Sequence, residues 1–145
     1  MSCIYCEENS SGTNLIRIGK VRRHTLYLHW DQTYPGRCIL AAEQHKKKVT
    51  DLSKEEYIEL CDEVYRAAKA LNGIFSPDKI NYVILGDCSE HLHVHIVPKY
   101  KGRKNWGELF EMNEKYPVCR SEEEYETIKR RILEELKKEK GSYEE

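Results

Sequence analysis

His91-Leu92-His93-Val94-His95-Ile96-Val97 places three histidines at alternate positions of a seven-residue run whose other members are all aliphatic. In an extended strand successive side chains point to opposite faces. The histidines therefore share one face, roughly 6.6 Å from one to the next, while Leu92, Val94 and Ile96 pack into a core behind them. A strand holds imidazoles more rigidly than a loop does, which favours positioned chemistry. Histidine serves as nucleophile, general acid or base, or metal ligand. The run reads as a catalytic site, a metal site, or one shared between both tasks.

Working outward, residues 80–85 read as the preceding strand, joined to the histidine run through the loop Gly86 to Glu90. Three further strands are expected at 13–18, 24–30 and 37–42, bounded by turn signals such as Ser11-Gly12 and Tyr34-Pro35-Gly36. A helix is predicted over 53–72, where Ser53 and Glu56 make a capping box and Asn72-Gly73 supplies a stop. Its apolar positions, from Tyr57 through Val64 to Leu71, recur at helical spacing. A last helix over about 121–140 begins at Ser121 with Glu124 as capping partner; its acidic start and basic end suit the helix dipole. The pattern predicts an α+β fold: an antiparallel sheet of about five strands, one central helix and a C-terminal helix.

Length and composition narrow the function. The 145 residues fit one domain, 1–145, and 39% hydrophobic with 34% charged residues is a globular balance. Lys plus Arg number 24 against 25 acidic residues, so no global positive field points to nucleic acid. No apolar stretch approaches the roughly 20 residues of a membrane helix, and the start lacks the layout of a secretion signal. A cytoplasmic protein without a membrane partner is expected. Without a secretory context the six cysteines are not read as a disulfide framework. Cys38 and Cys61 sit among apolar residues and read as small buried hydrophobes. Cys3-Ile4-Tyr5-Cys6 has the two-residue spacing of half a tetrahedral zinc site.

Asn81-Tyr82-Val83-Ile84-Leu85-Gly86-Asp87 followed by His91 to Tyr100 resembles the signature of the histidine-triad (HIT) family of nucleotide hydrolases and transferases. The family's motif is His-φ-His-φ-His-φ-φ with φ apolar, and every position is satisfied here. The likeness extends to Trp30-Asp31-Gln32-Thr33-Tyr34-Pro35-Gly36-Arg37 and to Asn105-Trp106-Gly107, covering residues 3 to 107. The diadenosine polyphosphate hydrolase-like branch fits best. This resemblance implies that His93 attacks the α-phosphorus of a nucleotide, that His95 stabilises the phosphate oxygens, and that His91 completes the catalytic set. It implies nucleotide contacts from Asp31, Asn81, Ser89 and His95. It also implies a structural zinc on Cys3, Cys6, His45 and His91, and a homodimer.

Asp87, Cys88, Ser89 and Glu90 depart from the family's loop, where an amide or hydroxyl commonly lies near the leaving group. An acid there repels phosphates unless it points away or is protonated, and Ser89 is the replacement donor. Lys99, Lys101, Arg103 and Lys104 read as a solvated basic loop. Three rival functions stay open on the sequence. A nucleotidyltransferase is opposed by His95, since the related uridylyltransferases carry Gln at that position. A nucleotide-binding module without turnover is opposed by the intact His93. A zinc hydrolase built on the three histidines leaves Cys3 and Cys6 without a role.

Overall fold

The computed structural model describes residues 3–6 and 14–143; the expected turn at Ser11-Gly12 and the start of the first strand lie outside them. Five strands, β1 (Leu15–Lys20), β2 (Thr25–His29), β3 (Cys38–Ala41), β4 (Lys79–Val83) and β5 (His93–Lys99), form one sheet in the order β1-β2-β3-β5-β4. Every neighbouring pair is antiparallel. Helices α1 (Lys54–Phe75) and α2 (Glu122–Tyr143) complete an α+β fold.

The helices cover one face. Leu26, Leu28, Leu40, Val94 and Ile96 of the sheet pack with Leu60, Ala67, Leu71, Ile132 and Leu136 of the helices. Alternation therefore commits the opposite face, which carries the other parity of every strand. Across it the register lines up Arg17, Tyr27, Ile39, His95 and Val83 in one row. In the next row Ala41 stands opposite His93.

α1 starts as its sequence predicts. The Ser53 hydroxyl accepts from Glu56 N–H at 3.1 Å, and the Glu56 carboxylate accepts from Ser53 N–H at 2.7 Å. It does not stop at Asn72. Gly73 stays helical, and the chain leaves the helix only at Ser76, in the left-handed conformation. Packing against the core carries Ile74 and Phe75 one turn further, overriding the local stop signal. Gly36 explains part of this: at φ 93° it turns β2 into β3, and a Cβ there would meet the Phe75 ring at 2.8 Å.

One expectation about the faces of α1 is corrected. Cys61 is exposed, because it falls on the solvent side with Ile58 and Tyr65 rather than on the stripe of Leu60, Val64 and Leu71. That inner stripe also holds an acid, Glu63, fully buried. Its Oε1 accepts the backbone N–H groups of Arg22, Arg23 and His24 at 2.8, 3.0 and 3.0 Å. The carboxylate thus fastens the β1–β2 turn to α1, satisfying three donors at once. Cys38 is buried as expected, and that burial pushes its thiol pKa up.

Candidate active site

Only His93 and His95 belong to the ladder of β5; His91 precedes it in a bend. The chain there is held by backbone bonds from Ala42 N–H to Leu92 C=O (3.0 Å) and from Leu92 N–H to Lys46 C=O (2.7 Å). Sheet pairing has already ended, so the expectation of three histidines on one strand is corrected. They still share one side, since the Tyr5 ring packs against both His91 and His93, with centroids 5.3 and 5.1 Å away. The rings of His93 and His95 lie 4.9 Å apart. All three histidines are buried.

Hydrogen bonds fix the tautomers. Nδ1 of His93 lies 2.7 Å from the backbone carbonyl of His91. A carbonyl only accepts, so Nδ1 carries the proton and Nε2 keeps its lone pair. Nε2 of His91 lies 2.7 Å from the Ala42 carbonyl and is protonated by the same argument, leaving Nδ1 unprotonated. Burial lowers the pKa of His93. Burial, then the charges of His93, Arg37 and His29, lower that of His95 to about 3. Both imidazoles are neutral at pH 7.

The freed Nδ1 of His91 faces Cys3 Sγ and Cys6 Sγ, each at 3.4 Å, and His45 Nδ1 at 3.2 Å. His45 Nδ1 is in turn 3.3 Å from Cys6 Sγ. These four donor atoms lie within 4.8 Å of one another. Two thiols and two imidazole nitrogens, with one ring already oriented by a carbonyl behind it, fit a tetrahedral metal site. Among the described residues this is the one such grouping of potential ligands.

The other sequence candidates are scattered. Asp31 is buried, and its Oδ1 accepts from Thr33 N–H (3.0 Å), Thr33 hydroxyl (2.7 Å) and Val118 N–H (2.9 Å). Burial opposes its ionisation, but these bonds and Arg37 hold the carboxyl below its ordinary pKa. Asn81, in β4, sits opposite Val97, its Oδ1 3.4 Å from Lys99 Nζ. Ser89 is half-buried in the loop before His91. Glu90 is exposed, with a carboxylate oxygen 3.3 Å from Lys47 Nζ.

Lys99 is no part of a solvated cluster. It is buried, and its ammonium donates to the carbonyls of Asn105 (2.6 Å) and Glu108 (2.7 Å). These bonds fasten the segment after β5. Tyr34 fastens it again, donating to Asn105 Oδ1 at 2.5 Å and accepting from Glu111 N–H at 2.7 Å. Phe110 is thereby set against His95, with ring centroids 5.7 Å apart.

Sequence reasoning missed three residues of this face. His29 has the parity of Tyr27 and Ile39, so alternation alone could have placed it there. Its Nδ1 accepts from Asp31 N–H at 3.1 Å, and burial and Arg37 hold its pKa near 4. Arg37 lies wholly buried over the Phe110 ring, with Nη1 3.9 Å from Asp31. No sequence signal distinguishes it from a surface arginine. In the sequence Tyr5 shows only as one of the two residues between Cys3 and Cys6.

A sheet backed by helices on one face and carrying buried, neutral histidines on the other defines a histidine-triad protein. The chain belongs to the HIT domain family, whose profile matches residues 16–102. It is 31% identical over 98 residues to a bis(5'-adenosyl)-triphosphatase of Dictyostelium discoideum, a match spanning 63% of this chain and 66% of that one. It is 24% identical over 104 residues to an adenosine 5'-monophosphoramidase of Schizosaccharomyces pombe, spanning 68% and 75%. Among solved structures, a histidine triad protein of Sinorhizobium meliloti 1021 superposes with TM-score 0.77 at 28% identity, covering 84% of this chain and 90% of that one. A zinc-bound family protein of Mycobacterium smegmatis matches the fold with TM-score 0.69 at 21% identity over 98% of both chains. No helix among the described residues is long and apolar enough to cross a membrane.

Proposed function

We propose that this protein is a nucleotide hydrolase cleaving at the α-phosphate of a dinucleoside polyphosphate or nucleoside phosphoramidate through a covalent nucleotidyl-His93 intermediate. The observation that carries the reading is the 2.7 Å contact between His93 Nδ1 and the His91 carbonyl. It leaves the Nε2 lone pair of a neutral imidazole as the nucleophile. That pair forms a bond to the α-phosphorus as the anhydride P–O or amidate P–N bond breaks; the leaving group departs with the bonding electrons and takes up a proton. Water then attacks the same phosphorus, the P–N bond to His93 breaks, and the imidazole is regenerated. His95, with its neighbouring ring, is the donor for the phosphate oxygens. The hydrolase relatives support the reaction class.

Asn81 and Ser89 are taken as nucleotide contacts. For Asp31 the proposal is narrower: with Oδ1 engaged by Thr33 and Val118, a ribose hydroxyl has Oδ2 as its acceptor. Cys3, Cys6, His45 and His91 would hold a zinc ion whose role is structural, tying the N-terminal segment to the start of β5. We take the whole chain as one cytoplasmic HIT domain that pairs as a homodimer. The position of β4 at the edge of the sheet, with Tyr82 exposed beside Ile84 and Leu85, supports the pairing; a monomer in light scattering at micromolar concentration contradicts it.

The test is nucleoside monophosphate release from a panel of dinucleoside polyphosphates and nucleoside phosphoramidates. Release by the intact chain, abolished by His93→Ala, is expected. No release from any compound by the folded, zinc-loaded protein overturns the reading.

A further inference from the structure

Tyr5 links the metal cluster to the nucleophile. It lies between Cys3 and Cys6 in a tight turn closed by the Cys6 N–H to Cys3 C=O bond at 3.2 Å. Its ring reaches out of that turn onto the histidine face. There it packs against His93 with centroids 5.1 Å apart and planes inclined by 31°, against His91 at 5.3 Å, and edge-on against Tyr27 at 5.7 Å. Burial in this contact raises the Tyr5 pKa.

We propose that Tyr5 is a positioning residue for His93, and that loading the Cys3–Cys6–His45–His91 site with metal is what seats it. The inference rests on His93 as the nucleophile of the proposed reaction. Besides the edge contact with His95, two restraints act on that ring. In its own plane, Nδ1 is held by the His91 carbonyl. That hydrogen bond limits rotation about the Cβ–Cγ bond, and an aromatic plate against the ring's face limits it further. The Nε2 lone pair lies in the plane of the imidazole, so packing on the face leaves it open to attack phosphorus. Tyr27 meets the plate edge-on, and among the described residues the turn carrying Tyr5 has no ladder bond to the sheet. Its polar links to the rest of the protein include the thiol contacts to His91 and His45. Those contacts are the ones a metal replaces with bonds to itself. The site is therefore a mount for an active-site wall as well as a staple for stability.

The experiment uses the full chain and follows the His93 ring signals by proton–carbon NMR alongside kinetics. Zinc-loaded protein is expected to show His93 ring protons displaced by the ring current of Tyr5. Tyr5→Leu, with zinc still bound in one-to-one ratio, should lose that displacement and lower kcat between about 10- and 100-fold, the range a misplaced reacting group produces. Tyr5→Phe should keep both, because the plate and not the hydroxyl is required. Stripping zinc from the unaltered protein should reproduce the NMR change of Tyr5→Leu. His93 signals indifferent to zinc removal, or a protein that holds no zinc, overturn the proposal. So does a Tyr5→Leu variant whose KM alone rises, which would make Tyr5 a wall of the nucleotide pocket only. The NMR arm needs no turnover, so failure of the hydrolase reading remains distinguishable from failure of this one.

Discussion

The backbone carbonyl of His91 stands 2.7 Å from Nδ1 of His93, so the residue whose ring faces Cys3, Cys6 and His45 also sets the tautomer of its neighbour. Ring and carbonyl of one residue thus serve two sites. The bend takes His91 out of the ladder, yet its ring stays on the side of His93, against the same Tyr5 ring.

Metal removal is expected to cost stability. Cys3→Ser or Cys6→Ser should abolish binding of about one zinc per chain and lower Tm by roughly 5–10 °C, the fall that ~2–3 kcal/mol produces in a domain of this size. Elemental analysis of protein purified without a metal-binding tag, with thermal unfolding, checks it. A metal-free, equally stable chain contradicts it.

Stability should fall in mild acid. His29 and His95, with folded pKa values of about 4 and about 3, stay neutral where an unfolded histidine protonates, near 6.5. Between pH 6.5 and 4 the unfolded chain therefore binds protons that the folded chain does not. Unfolding free energy must rise with pH through that window and level off above it, each histidine adding at most about 1.4 kcal/mol per pH unit. Urea titrations at pH 7.5, 6 and 5 measure the slope. His29→Gln should reduce the slope while leaving the share of His95, which separates the histidine from any release of metal.

The Glu63 clamp gives a third expectation. Glu63→Ala leaves the backbone N–H groups of Arg22, Arg23 and His24 without their shared acceptor, and should cost about 3 kcal/mol or more. Glu63→Gln keeps an amide oxygen in the same place and should cost less. Equal urea midpoints for Glu63→Ala and the unaltered protein would show that water satisfies those donors.

Much of this was legible in the residues. Alternation in His91–Val97 gave the aliphatic side and the histidine side of β5, and Ser53 with Glu56 gave the start of α1, because both signals act over a few residues. What failed depended on distant partners. Gly73 does not end α1 because Phe75 has Gly36 to pack against. Lys99 is buried because two carbonyls of the following segment turn back to meet it. Glu63 is buried because the backbone N–H groups of the β1–β2 turn meet its carboxylate. Of the four metal candidates, the spacing of Cys3 and Cys6 suggests half a site, the family resemblance adds His45 and His91, and the fold brings them together.

The central claim is that His93 forms the covalent bond. Rapid quenching of the enzyme during turnover of a dinucleoside polyphosphate, followed by mass spectrometry of its peptides, measures this directly. The account predicts a nucleoside monophosphoryl adduct on His93, and neither adduct nor turnover in His93→Ala. Turnover that persists in His93→Ala, with no adduct on the intact chain, would contradict it.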